Sequence, residues 1–358
     1  MIHGHGGNVE SLAQRLGCAA ADIVDMSSNV NPLGPPPALT AHLAANLGRI
    51  RRLPEADAGS TVSRMARHLG RAPESVVAGN GTTELIYRLP RALTPRRVLI
   101  LGPTYSDYED ACRQNGITPR FLLTGPETNF KVDLDALDRA ADEADLVFIC
   151  NPNNPTGVLT DPAAIDALSS RHPETCFVVD ESYLPFAAPG ETLSRSARPN
   201  LVVLHSLSKI FTLPGLRIGF ATAHPDIISR LRRYDSPWSM NSLATAAVDF
   251  LMDNPLETEL FIKDSARFLS DERRRFAQTL TTVAGIRTFP SHTSFILMAL
   301  EGAHRSHALC AALGLRRILI RNCANFNGLS DRYVRVSLKS ETENRRCCAL
   351  LAAAVGGA

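Results

Sequence analysis

Neither sign of charge dominates this 358-residue chain, in which 38 lysines and arginines against 36 aspartates and glutamates leave a formal charge of +2. A field that weak recruits neither nucleic acid nor an anionic membrane surface, so neither is expected as a partner. The eight cysteines are scattered, with Cys347-Cys348 the one close pair. No CxxC occurs and no Cys/His cluster has zinc-ligand spacing, so no metal is expected and the cysteines read as free thiols in a reducing compartment. No uninterrupted apolar run approaches the roughly 20 residues of a membrane span. Met1-Ile2-His3-Gly4-His5-Gly6-Gly7 lacks the basic-then-apolar order of a signal peptide. The expectation is a soluble, cytoplasmic protein. Internal repeats and low-complexity linkers are missing too. What is present is 44% hydrophobic residues, enough for a sizeable core, over a length that allows two to three domains.

The first forty residues read as irregular. Within them Asn31-Pro32-Leu33-Gly34-Pro35-Pro36-Pro37 excludes helix interior and central strand. Beyond them short apolar runs alternate with helical patterns. Strands are expected at 75–78, 98–101, 146–150, 176–179, 201–204 and 218–222, with helices at 83–93, 105–115, 134–143 and 162–171. Continuous apolar strands alternating with helices indicate an α/β fold built on a mainly parallel sheet. After Trp238 the texture changes to a long helical stretch, 239–283, interrupted near Asn254-Pro255. Strands are then expected at 295–300, 318–320 and 333–338. This tail reads as a smaller α+β unit.

Several strand ends carry residues suited to chemistry. Ser206-Leu207-Ser208-Lys209, with Arg217 eight residues after the lysine, follows an apolar strand, where open α/β sheets place ligands. A lysine there can attack an aldehyde once burial or neighbouring cations lower its pKa, and the hydroxyls and guanidinium suit a phosphate. The same Ser/Lys/Gly composition also makes ordinary surface loops. Asp180 ends the apolar run of Val178 and Val179 and needs a partner, either a protonated ring nitrogen or the turn that follows it. Cys150-Asn151-Pro152-Asn153-Asn154-Pro155-Thr156-Gly157 is either a tight loop or the source of an amide donor. Gly79-Asn80-Gly81-Thr82-Thr83 opens a helix whose first N–H groups can bind phosphate.

In order and spacing, these segments together resemble the fold-type I pyridoxal 5'-phosphate (PLP) enzymes of the aminotransferase class, over essentially the whole chain. The resemblance implies PLP as cofactor, with Lys209 forming the Schiff base and Asp180 pairing the pyridine nitrogen. It implies that Tyr183 and Asn154 contact the phenolic oxygen and that Tyr105 stacks on the ring. Gly81, Thr82, Ser206, Ser208 and Arg217 would hold the phosphate, and Arg335 the substrate α-carboxylate. It also implies a homodimer, with a large PLP-binding domain over 41–238 and an interdomain helix and small domain over 239–358. The N-terminal arm, 1–40, would join the small domain. Retention of Lys209, Asp180 and Arg217 together argues against a non-catalytic, ligand-sensing protein of this fold.

Three further segments lie outside the cofactor motifs: His5-Gly6-Gly7-Asn8, Asp25-Met26-Ser27-Ser28-Asn29-Val30-Asn31-Pro32 and Ile320-Arg321-Asn322-Cys323. They resemble the threonine-phosphate decarboxylases of cobalamin biosynthesis, whose near relatives are the histidinol-phosphate aminotransferases. This implies a phosphorylated amino-acid substrate whose phosphate meets His5, Asn29 and Arg321. The implied reaction is decarboxylation of L-threonine O-3-phosphate to (R)-1-amino-2-propanol O-2-phosphate and CO2. The alternatives are transamination of histidinol phosphate, or action on another phosphorylated or phosphonate amino acid. One position departs from the pattern: Leu53-Pro54 stands where these relatives usually carry Tyr-Pro, and a leucine cannot donate to a phosphate in the neighbouring subunit's site.

Overall fold

The computed structural model describes residues 6–356. Along the chain the strands are β1 (Val24–Asp25), β2 (Val76–Asn80), β3 (Val98–Gly102), β4 (Arg120–Leu123), β5 (Leu146–Cys150), β6 (Cys176–Asp180), β7 (Leu201–Ser206), β8 (Ile218–Thr222), β9 (Ile286–Thr288), β10 (Phe295–Leu300), β11 (Ile318–Leu319), β12 (Arg321–Asn322) and β13 (Tyr333–Ser337). Seven of them form one sheet in the order β2-β8-β7-β6-β5-β3-β4. Only β8 runs against its neighbours, pairing antiparallel with both β2 and β7.

Alternation along each strand sends side chains to opposite faces, and both faces are covered. Ile100, Phe148, Val178 and Val202 enter one apolar cluster, while Leu99, Val147, Phe177 and Val203 enter another. The carboxyl ends of β5, β6 and β7 therefore open at one edge between two packed layers. Cys150, Asp180 and Ser206 stand at that edge.

The C-terminal half contains an antiparallel sheet, β12-β13-β10-β9. The long helix Pro255–Leu280 precedes it, starting with a proline at its first turn, where the missing N–H costs nothing. The expected strand at 318–320 is instead split: β11 pairs in parallel with β1, and β12 leaves to pair with β13.

The N-terminal segment is not irregular as expected. Val9–Leu16 is a helix closed by Gly17 in the left-handed region, and Leu12 and Ala13 are buried with Ile23. Val24 then pairs with Ile318 and Asp25 with Leu319. The following residues bridge two elements. Met26 O accepts from Ser337 N at 2.8 Å, and Asn31 N donates to Lys209 O at 3.0 Å. Residues 26–31 thus lie between β13 and the Lys209 turn, and Asn29 is fixed in the gap. None of the helices is long and apolar enough to cross a membrane, among the described residues.

Candidate active site

Gly81, Thr82, Tyr105, Asn154, Asp180, Tyr183, Ser206, Ser208, Lys209 and Arg217 line one cavity at the strand edge. Asn29, Arg321 and Arg335 line a second space of about 300 Å³ that shares Tyr105, Asn154, Tyr183 and Lys209 with the first. The described site residues named from the sequence are thus brought together around Lys209. His5 lies outside the described residues, although Gly6, next to it, lines the second space.

Lys209 sits in the four-residue helix Leu207–Ile210 directly after β7. Burial lowers its amine to about 8, helped by the cationic Arg217 and Arg335 and opposed by Asp180 and Asp107. A substantial neutral fraction near neutral pH is what a carbonyl nucleophile needs. At the end of β6, Asp180 is almost fully buried. Burial pushes its carboxyl up, while hydrogen bonds from Ser182 and Tyr108 and the Lys209 charge pull it back. Tyr183 is raised to about 12, chiefly by burial, with Arg335 opposing. Its hydroxyl accepts from Asn29 Nδ2 at 3.2 Å.

One corner of the first cavity is shaped for a phosphate. The helix Thr82–Leu93 begins at Gly81 with no side chain capping its first N–H groups. Gly81 has φ +80°, and a Cβ there would meet Arg217 Nη2 at 2.5 Å. A Cβ on Gly219 would meet Thr82 N at 2.3 Å. Both glycines are therefore needed for the guanidinium and the helix start to converge. Helix N–H groups, serine hydroxyls and an arginine are the donor set of a phosphate cup. A carboxylate and a lysine lie beyond it at the spacing the strand ends impose. The residues present fit PLP.

The second space is cationic. Arg335 donates through Nη1 to Asn154 Oδ1 and through Nη2 to Ser27 O at 2.7 Å. Its Nε is buried with no hydrogen-bond partner among the described residues. Arg321 donates to Asn322 O and, at 2.7 Å, to Asn325 Oδ1. It also lies 5.0 Å over the Phe326 ring. Burial lowers it to about 10.

Sequence reasoning passed over Tyr108, Ser182, Ser27 and Asn325. Tyr108 carries no local signal, since Tyr105, three residues earlier, lies outside the helix Asp107–Gln114. Nothing local marks Ser27 O, which becomes functional only through the contact with Arg335. Leu53 lines neither cavity and is exposed, as are Leu47, Ile50 and Trp238.

The family model of the class I and II aminotransferases matches residues 21–351. A threonine-phosphate decarboxylase from Salmonella typhimurium is 33% identical over 97% of this chain and 95% of that protein. A histidinol-phosphate aminotransferase from Roseiflexus castenholzii is also 33% identical, over 94% of this chain and 91% of its own. Among solved structures, the L-threonine-O-3-phosphate decarboxylase of Porphyromonas gingivalis superposes with a TM-score of 0.83 at 31% identity. It covers 92% of this chain and 98% of its own.

Proposed function

The chain belongs to the class I and II aminotransferases and is a PLP-dependent enzyme of fold-type I, and from that premise we propose that it decarboxylates L-threonine O-3-phosphate. The products are (R)-1-amino-2-propanol O-2-phosphate and CO2, a step of cobalamin biosynthesis. The observation that carries this reading is the pair of buried arginines, Arg321 and Arg335, lining one space beside Lys209. Two cations suit a substrate with two anionic ends.

In this reading Lys209 would bond the cofactor aldehyde, Asp180 would pair the ring nitrogen, and Asn154 and Tyr183 would hold the phenolic oxygen. Tyr105 would cover the ring. Gly81, Thr82, Ser206, Ser208 and Arg217 take the cofactor phosphate. Arg335 takes the substrate carboxylate, and Arg321, Asn29 and His5 take its phosphate. The cofactor ring, when bound, accepts the electron pair of the bond that breaks at the substrate Cα. Arg335 and Arg321, by gripping the two anionic ends of the substrate, would restrict its rotation and so select which bond at Cα breaks. With the Cα–carboxylate bond so selected, CO2 would leave and Cα would regain a proton, which Lys209 Nζ would carry. Residues 41–238 are then the cofactor-binding domain, and 239–358 with the 1–40 arm the smaller one. Leu47, Ile50, Leu53 and Trp238 form the face of a homodimer.

Transamination of histidinol phosphate is the second reading, favoured by the equal identity to the Roseiflexus castenholzii aminotransferase. One assay separates them. Purified enzyme is given threonine phosphate, serine phosphate or histidinol phosphate, and both CO2 and amino transfer to 2-oxoglutarate are followed. CO2 from threonine phosphate without amino transfer is expected. Rapid amino transfer from histidinol phosphate, with no CO2 from either amino-acid phosphate, overturns the decarboxylase reading.

A further inference from the structure

Asp180 is held at both carboxylate oxygens. Oδ1 accepts the Ser182 N–H at 2.9 Å, and Oδ2 accepts the Tyr108 hydroxyl at 2.8 Å. The first bond is local, made by the turn that ends β6. The second comes from 72 residues away, off the first turn of the helix Asp107–Gln114.

Tyr108 is fully buried. Its ring stacks on Phe148, with centroids 5.1 Å apart and planes 14° from parallel. It meets the Tyr105 ring edge-on at 5.8 Å. These two contacts and the helix backbone fix the direction of the hydroxyl. The group beside it other than Asp180 is the Cys150 thiol, which itself donates to Pro152 O at 3.3 Å. The Tyr108 proton is therefore left to the carboxylate. A phenylalanine would make the same stack, so packing alone does not account for the oxygen.

Asp180 is a poor place for a charge. Its other titratable neighbours are Cys150, Glu181, Tyr183 and Lys209, and only Lys209 brings a positive charge to it. Burial favours the neutral acid, whereas donors to a carboxylate favour the ionised form. The distinction matters for a ring nitrogen opposite the carboxyl. Against an ionised carboxylate the nitrogen carries the shared proton and the ring draws electrons strongly. Against a basic, readily protonated carboxyl the proton shifts to oxygen and that pull weakens.

We propose that Tyr108 is a positioning residue for the reaction, whose hydroxyl fixes Asp180 and keeps it ionised so that the proton it shares with the cofactor rests on the ring nitrogen. The inference rests on the reading of Asp180 as the partner of that nitrogen.

Tyr108→Phe removes the oxygen and keeps the ring. Three quantities are measured: the 15N resonance of ring-labelled PLP in the resting holoenzyme, the 13C titration of the Asp180 carboxyl in the apoprotein, and the rate of PLP release. The variant is expected to move the ring-nitrogen resonance toward its unprotonated position and to raise the Asp180 midpoint. PLP release should quicken roughly tenfold, the loss of one hydrogen bond to a charged group. If the variant loses its cofactor altogether, the apoprotein titration still decides. A resonance and a midpoint both unchanged in Tyr108→Phe would reduce Tyr108 to a packing residue. Asp180→Asn is run in parallel. If the ring nitrogen stays protonated in that variant as well, the assignment of Asp180 has failed and the Tyr108 inference goes with it. If Asp180→Asn abolishes protonation while Tyr108→Phe does not, only the Tyr108 inference is lost.

Discussion

Arg321 on β12 is the register partner of Arg335 on β13. Residues directly opposite in an antiparallel pair project from the same face, and like charges there are destabilising. Both guanidinium groups are buried as well, and the acceptors of their hydrogen bonds, Asn154, Ser27 O, Asn322 O and Asn325, are neutral. The sheet thus tolerates two adjacent buried cations that line one space with Lys209, with Asp25 the acidic neighbour of Arg335, a cost to folding that an anionic ligand would offset.

The two arginines should divide the substrate between them. Arg321→Ala is expected to lower kcat/KM for threonine phosphate by about ten- to a hundredfold, from the loss of a charge-assisted contact, with PLP content near wild type. Arg335→Ala should hurt threonine and threonine phosphate alike, because both carry the carboxylate. Comparing the two substrates in each variant checks the division. Equal losses for both substrates in Arg321→Ala, or failure of that variant to hold PLP, would remove Arg321 from the phosphate site.

Lys209 should show its depressed pKa directly. Only the neutral amine attacks an aldehyde, and its midpoint is about 8 rather than the ordinary lysine value near 10.5. The rate of PLP uptake by apoprotein is therefore expected to climb with pH up to about 8 and level off above it. Borohydride should fix the cofactor to the peptide containing Lys209. Stopped-flow absorbance across pH and peptide mapping measure the two. An uptake rate still rising steeply past pH 9.5 would show an ordinary lysine.

A dimer face is expected over Leu47, Ile50, Leu53 and Trp238. Ile50, Leu53 and Trp238 are each more than half exposed on the single chain. The 47–56 and 238–242 segments that carry these exposed apolar residues are joined, Trp238 N donating to Ala56 O at 2.9 Å and Ser242 Oγ to Arg52 O at 3.5 Å. Leu53→Asp with Ile50→Asp should yield a monomer by sedimentation with its folded circular dichroism kept. A wild-type chain that sediments as a fully active monomer would count against the interface.

How far the sequence alone reaches depends on what each element is made of. β5 and β8 are continuous apolar runs buried on both faces, and their limits are plain at 146–150 and 218–222. β4 is not legible: it is a four-residue edge strand, Arg120-Phe121-Leu122-Leu123, with no fully buried residue. The helix Val9–Leu16 does carry a signal, apolar at Val9, Leu12, Ala13 and Leu16 with Gly17 after it. The surrounding glycines and prolines conceal it. In the site, residues in strand-end motifs are visible because each motif is local. Tyr108 on Asp180 and Ser27 O on Arg335 depend on contacts 72 and 308 residues apart, and no local pattern encodes them.

Gly81 provides the sharpest test of the phosphate corner. Its φ of +80° is one that residues with a Cβ rarely adopt, and the added methyl would lie 2.5 Å from Arg217 Nη2. Gly81→Ala therefore forces a choice between straining the backbone and displacing the guanidinium. Strain of this kind costs on the order of 1 kcal/mol or more, and an arginine turned away forfeits a charge-assisted bond to phosphate. The variant is expected to fold with a modestly lower Tm and to bind PLP at least about tenfold more weakly. Pyridoxal without its phosphate should discriminate far less between the two proteins, since the cup serves the phosphate. Equilibrium titration of apoprotein with each cofactor form gives the comparison. If Gly81→Ala weakened both forms equally, the glycine would be shaping the cavity as a whole, and the phosphate would have to be held elsewhere.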